Sequence, residues 1–213
     1  MLIDVLNETL SSRLDSFVQE TKAKPLEDET TNIDTHDTQD AITGDGVNAL
    51  KEWTGKASAT IVYDSTVDEF TDQGLFNKVR GKRNIALVVF TADGDVFGGF
   101  YNVAVTEQRK VFKGPDMFVF SFESRGRCET PQRFAVKKKV RIAKYVNFLK
   151  NNSYGSFINI GGGYGGFILG NEKSDTYCFD LSSGYVGVEG TTLTGKPNGE
   201  RFTCTRLVAV RLQ

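Results

Sequence analysis

The apolar positions along the chain follow two different periods. Over residues 2–20, apolar side chains recur at steps of three and four residues, which is the spacing of one face of an α-helix. These side chains are Leu2, Val5, Leu6, Leu10, Leu14, Phe17 and Val18. Pro25 ends the pattern, because proline lacks the N–H that a helix interior needs. We therefore predict an amphipathic helix within residues 1–24, with an apolar face that packs on the main domain, on a partner or on a second copy of the chain.

Residues 25–49 have few large apolar side chains and many Asp, Thr and Asn, which is typical of a solvated acidic linker. The single histidine, His36, lies here without a neighbouring Cys or second His, so we predict no metal site. Asp34, Asp37 and Asp40 do not have the spacing of a calcium-binding loop. The folded domain is then expected to comprise residues 50–213.

From Leu50 onward, short runs of β-branched and aromatic residues alternate with Gly, Asp, Asn and Ser, as in strands joined by turns. The predicted strands are residues 60–63, 85–90, 96–103, 116–122, 156–160, 167–169, 176–180 and 201–212. Asp93 and Gly94 separate two of these runs, and an Asp-Gly pair in that place indicates a hairpin. The pattern predicts a mainly β fold with short helices, arranged as a two-sheet antiparallel β-sandwich.

Two finer predictions concern a helix and the last strand. We expect a helix over residues 67–80, capped by Asp64 or Ser65 and with Val67 on its apolar face. In the last strand, strict alternation places five side chains on one face. They are Phe202, Cys204, Arg206, Val208 and Val210.

Glycines are concentrated in two predicted strand regions. They are Gly98 and Gly99, and then Gly161, Gly162, Gly163, Gly165 and Gly166. A phosphate-binding loop needs a following Lys-Ser/Thr pair and a helix, whereas the second cluster continues as a predicted strand. We therefore interpret all seven as structural glycines that permit close approach of backbones or a positive φ angle.

Composition limits the class of protein. The chain is 39% hydrophobic, and no apolar run approaches the 18 residues that a membrane-spanning helix needs. The first residues show no basic and apolar pattern of a secretory signal. The three Cys residues are far apart and odd in number, so neither disulfides nor a zinc site is expected. We predict a cytoplasmic or nuclear protein with reduced thiols and no cofactor.

Charge is distributed unevenly along the chain. Residues 1–50 contain three bases and eleven acids, a net charge of −8, whereas residues 51–213 contain 23 bases and 16 acids, a net charge of +7. An acidic arm beside a basic body can fold back on that body or compete with an acidic partner. Both charges also fit a role in solubility alone.

The positive charge is densest over residues 125–150. The candidate contact residues are Arg125, Arg127, Arg133, Lys137, Lys138, Lys139, Arg141 and Lys144. Phe134, Tyr145 and Phe148 lie among them, and clustered cations with aromatic rings can bind phosphate backbones or an acidic protein surface. A solvated face without a partner is the alternative.

No catalytic constellation is visible, because the single histidine lies in the predicted linker and leaves Ser or Cys nucleophiles without a base. The sequence therefore predicts a protein that is not an enzyme. Cys128 is a redox candidate, since Arg125 and Arg127 nearby favour its thiolate. Cys178 and Cys204 lie inside apolar strands and are expected to be buried and unreactive.

Four segments in one order resemble the TLDc domain family. They are residues 60–76, residues 85–101 ending in Val-Phe-Gly-Gly-Phe, residues 116–122, and the glycine-rich residues 160–169. The resemblance covers residues 50–213. It implies a two-sheet antiparallel β-sandwich, a role in protection against oxidative stress and, in some members, binding to the peripheral part of the vacuolar proton-pumping ATPase. It supplies no agreed catalytic residues.

Three functional hypotheses follow. The first is a non-catalytic, stress-linked interaction domain that binds a protein partner, such as subunits of the vacuolar ATPase, through the basic region. The second is a stress-responsive regulator that binds DNA or RNA through the same cations. The third is a redox sensor that acts through Cys128. Self-association through residues 2–20 is compatible with each of them.

Overall fold

The computed structural model describes residues 42–139, 144–150, 156–161, 165–170 and 176–213. The predicted amphipathic helix, most of the predicted linker and His36 lie outside the described residues. The helices are α1 (Gly44–Thr54), α2 (Asp72–Val79) and α3 (Leu181–Gly184). The strands are β1 (Ala59–Asp64), β2 (Ile85–Thr91), β3 (Val96–Tyr101), β4 (Val111–Lys113), β5 (Met117–Glu123), β6 (Gln132–Ala135), β7 (Tyr145–Phe148), β8 (Ser156–Ile160), β9 (Gly166–Gly170), β10 (Tyr177–Phe179) and β11 (Cys204–Leu212).

These strands form two antiparallel sheets, which confirms the predicted β-sandwich. Sheet A has the order β1-β11-β2-β3-β5-β6, and sheet B has the order β10-β9-β8-β7-β4. The predicted hairpin joins β2 to β3, and Gly94 in its turn has a φ of 89°. In the described part of the chain, no helix is long and apolar enough to cross a membrane.

The main core lies between the two sheets and is rich in aromatic side chains. The Phe97 ring on β3 meets the Phe167 ring on β9 edge to face, with centroids 5.5 Å apart. It meets the Phe202 ring in the same way at 5.4 Å. Each such pair adds about 0.5–1.5 kcal/mol to the gain from burial alone. Phe97 therefore joins sheet A, sheet B and the segment before β11.

A second apolar cluster lies on the outer face of sheet A, where α1 covers it. Ile42, Val47 and Leu50 are buried against this face. Residues 42–49, which the sequence pattern assigns to the linker, therefore belong to the folded domain. The few apolar side chains of this segment fall on one side of a helix that also carries polar residues, so composition alone conceals their burial.

Trp53, near the end of α1, contacts three phenylalanines in a row on β5. Its ring centroid lies 6.1 Å from that of Phe118, 6.0 Å from that of Phe120 and 6.1 Å from that of Phe122. These three phenylalanines share one face of the sheet, because alternate strand residues point the same way. The face is the outer one, and α1 fixes its position on sheet A through this row.

Gly98 and Gly99 on β3 allow the layers to approach closely on both sides. A Cβ at Gly98 would lie 1.9 Å from the Leu87 carbonyl oxygen and 2.5 Å from the Phe120 ring. A Cβ at Gly99 would lie 3.0 Å from Ile160 of sheet B. The structural interpretation of these two glycines thus has a steric basis in the close approach of neighbouring chains.

The helix predicted over residues 67–80 is shorter than expected. It begins at Asp72 with Thr71 as its cap, and Val67 is 87% exposed instead of lying on an apolar face. The Asp64 carboxylate does not cap a helix, because it accepts a hydrogen bond of 3.0 Å from the Thr66 backbone N–H and binds Arg206. These local bonds hold residues 64–68 in a turn, which delays the start of the helix.

The predicted alternation of the last strand is wrong at one end. Cys204 lies in the core between the sheets, whereas Val208 and Val210 lie on the outer face of sheet A. The register of β11 against β2 shifts between Cys204 and Arg206. Such a bulge adds one residue and reverses the faces on its two sides.

Arg206 and Asp64 form a paired contact between β11 and β1. Arg206 Nε donates to Asp64 Oδ1 at 3.0 Å, Nη2 binds Oδ2, and the guanidinium lies 5.5 Å from the centre of the Phe90 ring. Burial raises the pKa of the Asp64 carboxyl, but hydrogen bonds from Arg206 and Thr66 outweigh burial and lower that pKa overall. The pair therefore stabilises the folded state when Asp64 is ionised.

We predict that Gly98→Ala lowers the free energy of unfolding by about 3 kcal/mol or abolishes folding, since the new methyl group overlaps a backbone oxygen. Gly44→Ala is the matched control, because nothing lies within 4 Å of a Cβ there. Urea unfolding of both variants measures the difference. Equal stabilities of the two variants would contradict the close approach.

We predict that the contribution of Asp64 to stability depends on pH. The folded-state pKa is lowered, so the contribution is present above the unfolded value of about 4 and is lost as the pH falls through the folded value. Asp64→Asn should cost about 1.5 kcal/mol at pH 7, and the gap from the wild type should narrow below about pH 4. Unfolding experiments at several pH values test this, and a gap that does not change with pH would refute it.

Candidate functional site

The strongest candidate site is a groove of about 540 Å³ at the C-terminal end of α1. Its described lining includes three cations, Lys56, Arg133 and Lys144, and three aromatic rings, Trp53, Phe100 and Phe118. We call these six residues the basic groove. Asp116 is the single carboxylate among the described lining residues, so the groove carries a net positive charge.

The end of α1 directs Lys56 toward this groove. Gly55 adopts a left-handed conformation with a φ of 66°, and its N–H donates to the Glu52 carbonyl. The Lys56 N–H then donates to the Lys51 carbonyl at 3.1 Å. Glycine is suited to this position, because a side chain is disfavoured at positive φ.

Arg133 is held by two contacts on the outer face of sheet A. Its Nη1 donates to the Trp53 carbonyl oxygen at 2.9 Å, and its guanidinium lies 5.4 Å from the centre of the Phe118 ring. The residue is nevertheless exposed, so other donors of the guanidinium face the groove and solvent. Arg133 thus combines a fixed position with free hydrogen-bonding capacity.

Lys144 enters the same groove from the segment before β7. Its Nζ donates to the Pro115 carbonyl oxygen at 2.8 Å. The carboxylate of the nearby Asp116 accepts a hydrogen bond of 3.0 Å from Asn102 Nδ2. Asp116 therefore already has a neutral partner, and the ammonium groups of Lys56 and Lys144 remain able to meet an external anion.

The other predicted contact residues do not share this groove. Arg125 lies in the loop before β6, whereas Lys138 and Lys139 follow β6, and all three are exposed. Lys137 donates to the Ser182 carbonyl oxygen. Arg141 lies outside the described residues. The described cations of the basic region thus point to at least two separate places.

Arg127 forms an ion pair that stabilises the fold, and it does not line the basic groove. Its guanidinium binds the carboxylate of Asp95, which is 1% exposed, and Nε donates to the Thr192 carbonyl oxygen at 3.2 Å. The pair ties the loop before β6 to the β2–β3 hairpin and to the segment around Thr192. A buried carboxylate needs such a partner, since an unpaired buried charge is strongly destabilising.

The three thiols differ in their surroundings. Burial raises the pKa of the Cys178 thiol to about 12 and that of the Cys204 thiol to about 12, so both are neutral at physiological pH. Cys128 is partly exposed, and its backbone N–H donates to Ser124 Oγ at 2.6 Å. Arg127, which was expected to favour the Cys128 thiolate, instead binds Asp95. In the described residues, no group of three or more His, Cys, Asp or Glu is placed to hold a metal ion.

The second glycine cluster packs tightly where it is described. Gly161 and Gly165 have φ angles of 101° and 129°, and a Cβ at Gly166 would lie 1.9 Å from the Ile160 carbonyl oxygen. These positions therefore require glycine for backbone reasons. Gly162 and Gly163 lie outside the described residues.

The sequence analysis did not single out two residues of the basic groove. Lys56 lies outside the basic stretch of residues 125–150, and Trp53 lies shortly after the predicted linker. A helix stop at Gly55 followed by a lysine was the available signal, but it does not indicate which surface the lysine faces.

A family model described as the TLDc domain matches residues 42–204, about three quarters of the chain. The match begins at Ile42, the first buried residue of the described chain. No curated protein matches the sequence.

We predict that Arg127→Ala lowers the free energy of unfolding by about 3 kcal/mol, because it leaves the buried Asp95 carboxylate unpaired. Arg125→Ala removes the same charge from an exposed position two residues away and should change stability by less than about 0.5 kcal/mol. Thermal and urea unfolding compare the two variants. A similar small effect of both would show that the Arg127–Asp95 pair does not stabilise the fold.

Proposed function

The chain belongs to the TLDc domain family, and on that premise we propose that it acts without catalysis as a protein-interaction domain of the oxidative-stress response. Its contact site is the basic groove, and its partner is an acidic protein segment. The peripheral part of a vacuolar proton-pumping ATPase is the partner that we propose to test first.

The observation that carries this proposal is the combination of cations with aromatic rings beside a rigid sheet edge. Lys56, Arg133 and Lys144 supply charge, and Trp53 supplies a large, partly exposed ring. Tryptophan and arginine are enriched among the residues that dominate binding energy at protein interfaces. Positive charge at the rim speeds encounter with an acidic partner and selects against basic ones.

The geometry favours a protein partner over a nucleic acid. A phosphate backbone is best bound by a continuous strip of cations, because each neutralised phosphate adds to the affinity. Here Arg127 binds Asp95, while Arg125 and Lys138 lie at opposite ends of β6 along the chain. This dispersal supports a compact site for an acidic side chain or short segment.

We predict that neutralising the two groove lysines weakens partner binding. Lys56→Gln with Lys144→Gln should reduce affinity for the purified peripheral sector of the ATPase about 10-fold, because two cations that meet acidic groups are lost. Lys138→Gln with Lys139→Gln removes the same charge away from the groove and should leave affinity within about two-fold. Biolayer interferometry of the full chain at low and high salt measures both.

Two further probes separate the partner from the site. A labelled peptide of four glutamates around one leucine tests the groove without the ATPase, and a DNA duplex tests the nucleic-acid alternative. Binding of the peptide but not of the ATPase sector would keep the groove and reject that partner. Tighter binding of DNA than of both acidic probes would reject the proposal, as would equal effects of the two lysine pairs. In cells that lack the protein, the wild type but not the groove variant should restore resistance to peroxide.

A further inference from the structure

The basic groove runs across the ends of four neighbouring strands on the outer face of sheet A. Its lining includes Asn84, which leads into β2, Phe100 on β3, Phe118 on β5 and Ala135 on β6. These four strands are adjacent in the sheet. At about 4.8 Å between neighbours they span about 14 Å, which is the length of four to five extended residues. The groove therefore has room for a short extended segment that crosses the strands.

One side of the groove is formed at the C-terminal end of α1 and carries two cations. Lys56 lies directly after the Gly55 cap of α1. Arg133 reaches the same end of the helix, because its Nη1 donates to the Trp53 carbonyl oxygen at 2.9 Å. We call Lys56 and Arg133 the cationic wall. An acidic side chain that faces this wall meets two positive charges.

The opposite side of the groove lies one row of residues nearer to the ends of the strands. Phe100 of β3 pairs with Phe118 of β5. Two residues further toward this end of the sheet, Asn102 Nδ2 donates to Asp116 Oδ2 at 3.0 Å. Alternate strand residues share a face, so Asn102 and Asp116 lie on the outer face as well, about 7 Å along the strands from the two phenylalanines. The Asp116 carboxylate is exposed on this side of the groove.

Lys144 belongs to the same side of the groove as Asp116. Its Nζ donates at 2.8 Å to the carbonyl oxygen of Pro115, the residue before Asp116. We call Asn102, Asp116 and Lys144 the neutral wall, since one carboxylate and one ammonium group cancel in charge. An anion in the groove is therefore attracted more strongly to the cationic wall than to the neutral wall.

An extended segment distributes its side chains in a way that suits two unlike walls. Successive side chains of such a segment point to opposite sides. A segment that lies along the groove therefore directs residues i and i+2 to one wall and residues i+1 and i+3 to the other. Two acidic side chains both reach the cationic wall when one residue separates them. Two neighbouring acids, in contrast, place one carboxylate beside Asp116, where like charges repel.

We propose that the basic groove selects an extended segment in which acidic residues alternate with uncharged ones. This inference rests on the proposed function, because it specifies the acidic segment that the contact site binds. Lys56 and Arg133 bind the acidic side chains, and Asp116 discriminates against a carboxylate at the intervening positions. Asp116 is thus a specificity-determining residue of the groove.

Two tetrapeptides with blocked ends test the preference for alternation. The alternating peptide is Glu-Ser-Glu-Ser, and the adjacent peptide is Ser-Glu-Glu-Ser, which has the same composition and charge. Trp53 is the single tryptophan of the chain and lies in the groove, so its fluorescence reports binding there. In titrations to about 10 mM peptide at constant ionic strength, the full chain should bind the alternating peptide about 5-fold more tightly than the adjacent peptide. Equal affinities would overturn the inference.

Two substitutions in the neutral wall should move this preference in opposite directions. Asp116→Asn keeps an oxygen that accepts from Asn102 but gives the wall a positive charge, so the preference should fall below about 2-fold through tighter binding of the adjacent peptide. Lys144→Gln gives the wall a negative charge, so the preference should rise above about 10-fold. A preference that stays the same in both variants would contradict the role of Asp116.

Two further variants test the cationic wall and the effect of net charge. Lys56→Gln should weaken binding of the alternating peptide about 5-fold, because one cation of that wall is lost. Glu107→Gln is the control for Asp116→Asn, since it removes one negative charge at an exposed position outside the described groove lining. It should keep the wild-type preference, and a fall in this control would assign the effect to net charge and overturn the inference. Thermal unfolding checks that each variant is folded.

The same titrations separate this inference from the proposed function. If both peptides bind the wild type equally well and Lys56→Gln weakens both, the contact site stands and its selectivity is refuted. If neither peptide changes the Trp53 fluorescence, the contact site and its selectivity are both refuted. Tighter binding of the alternating peptide, with opposite shifts in the two neutral-wall variants, is the result that we expect.

Discussion

The contact of Trp53 with the phenylalanine row of β5 is the interaction on which the basic groove depends. It fixes α1 across the outer face of sheet A, with ring centroids about 6 Å from Phe118, Phe120 and Phe122. The C-terminal end of α1 then forms one wall of the basic groove. Since a tryptophan against aromatic rings has little conformational freedom to lose, this contact orders the helix at a low entropic cost. A small helix thereby places Lys56 beside Arg133 on the outer face of sheet A.

Beneath α1, the close approach of layers at Gly98 and Gly99 determines how rigid the outer face of sheet A is. Gly98 lets Phe120 lie over β3, and Gly99 lets Ile160 of sheet B approach from the other side. Tight layers on both sides leave little space for rearrangement, because protein interiors are packed like crystals. The basic groove is therefore carried by a stiff framework, which lowers the entropy lost when a partner binds. A stiff surface of this kind suits the binding of a partner.

Local sequence signals predicted much of the fold and part of the site. The hairpin around Asp93 and Gly94 and the two-sheet class follow from period-two alternation and turn chemistry. The start of α2 and the bulge in β11 could not be predicted. In the first, Asp64 binds Arg206, which is 142 residues away, instead of capping the helix. In the second, one inserted residue reverses the faces without changing the composition of the strand.

The sequence by itself determined most of the strands, although not β4, β6 and β7, together with the need for glycine at close approaches and the family to which the domain belongs, because these depend on neighbouring residues or on motifs in a fixed order. Only the tertiary structure decided which charges are free. Arg127 and Arg133 are alike in the sequence, but one binds the buried Asp95 carboxylate and the other borders an open groove. Lys56 joins the groove from a segment that the charge pattern does not single out. The physical reason is that charge pairing depends on distance in space, and a chain folded into two sheets brings together side chains that no local pattern connects.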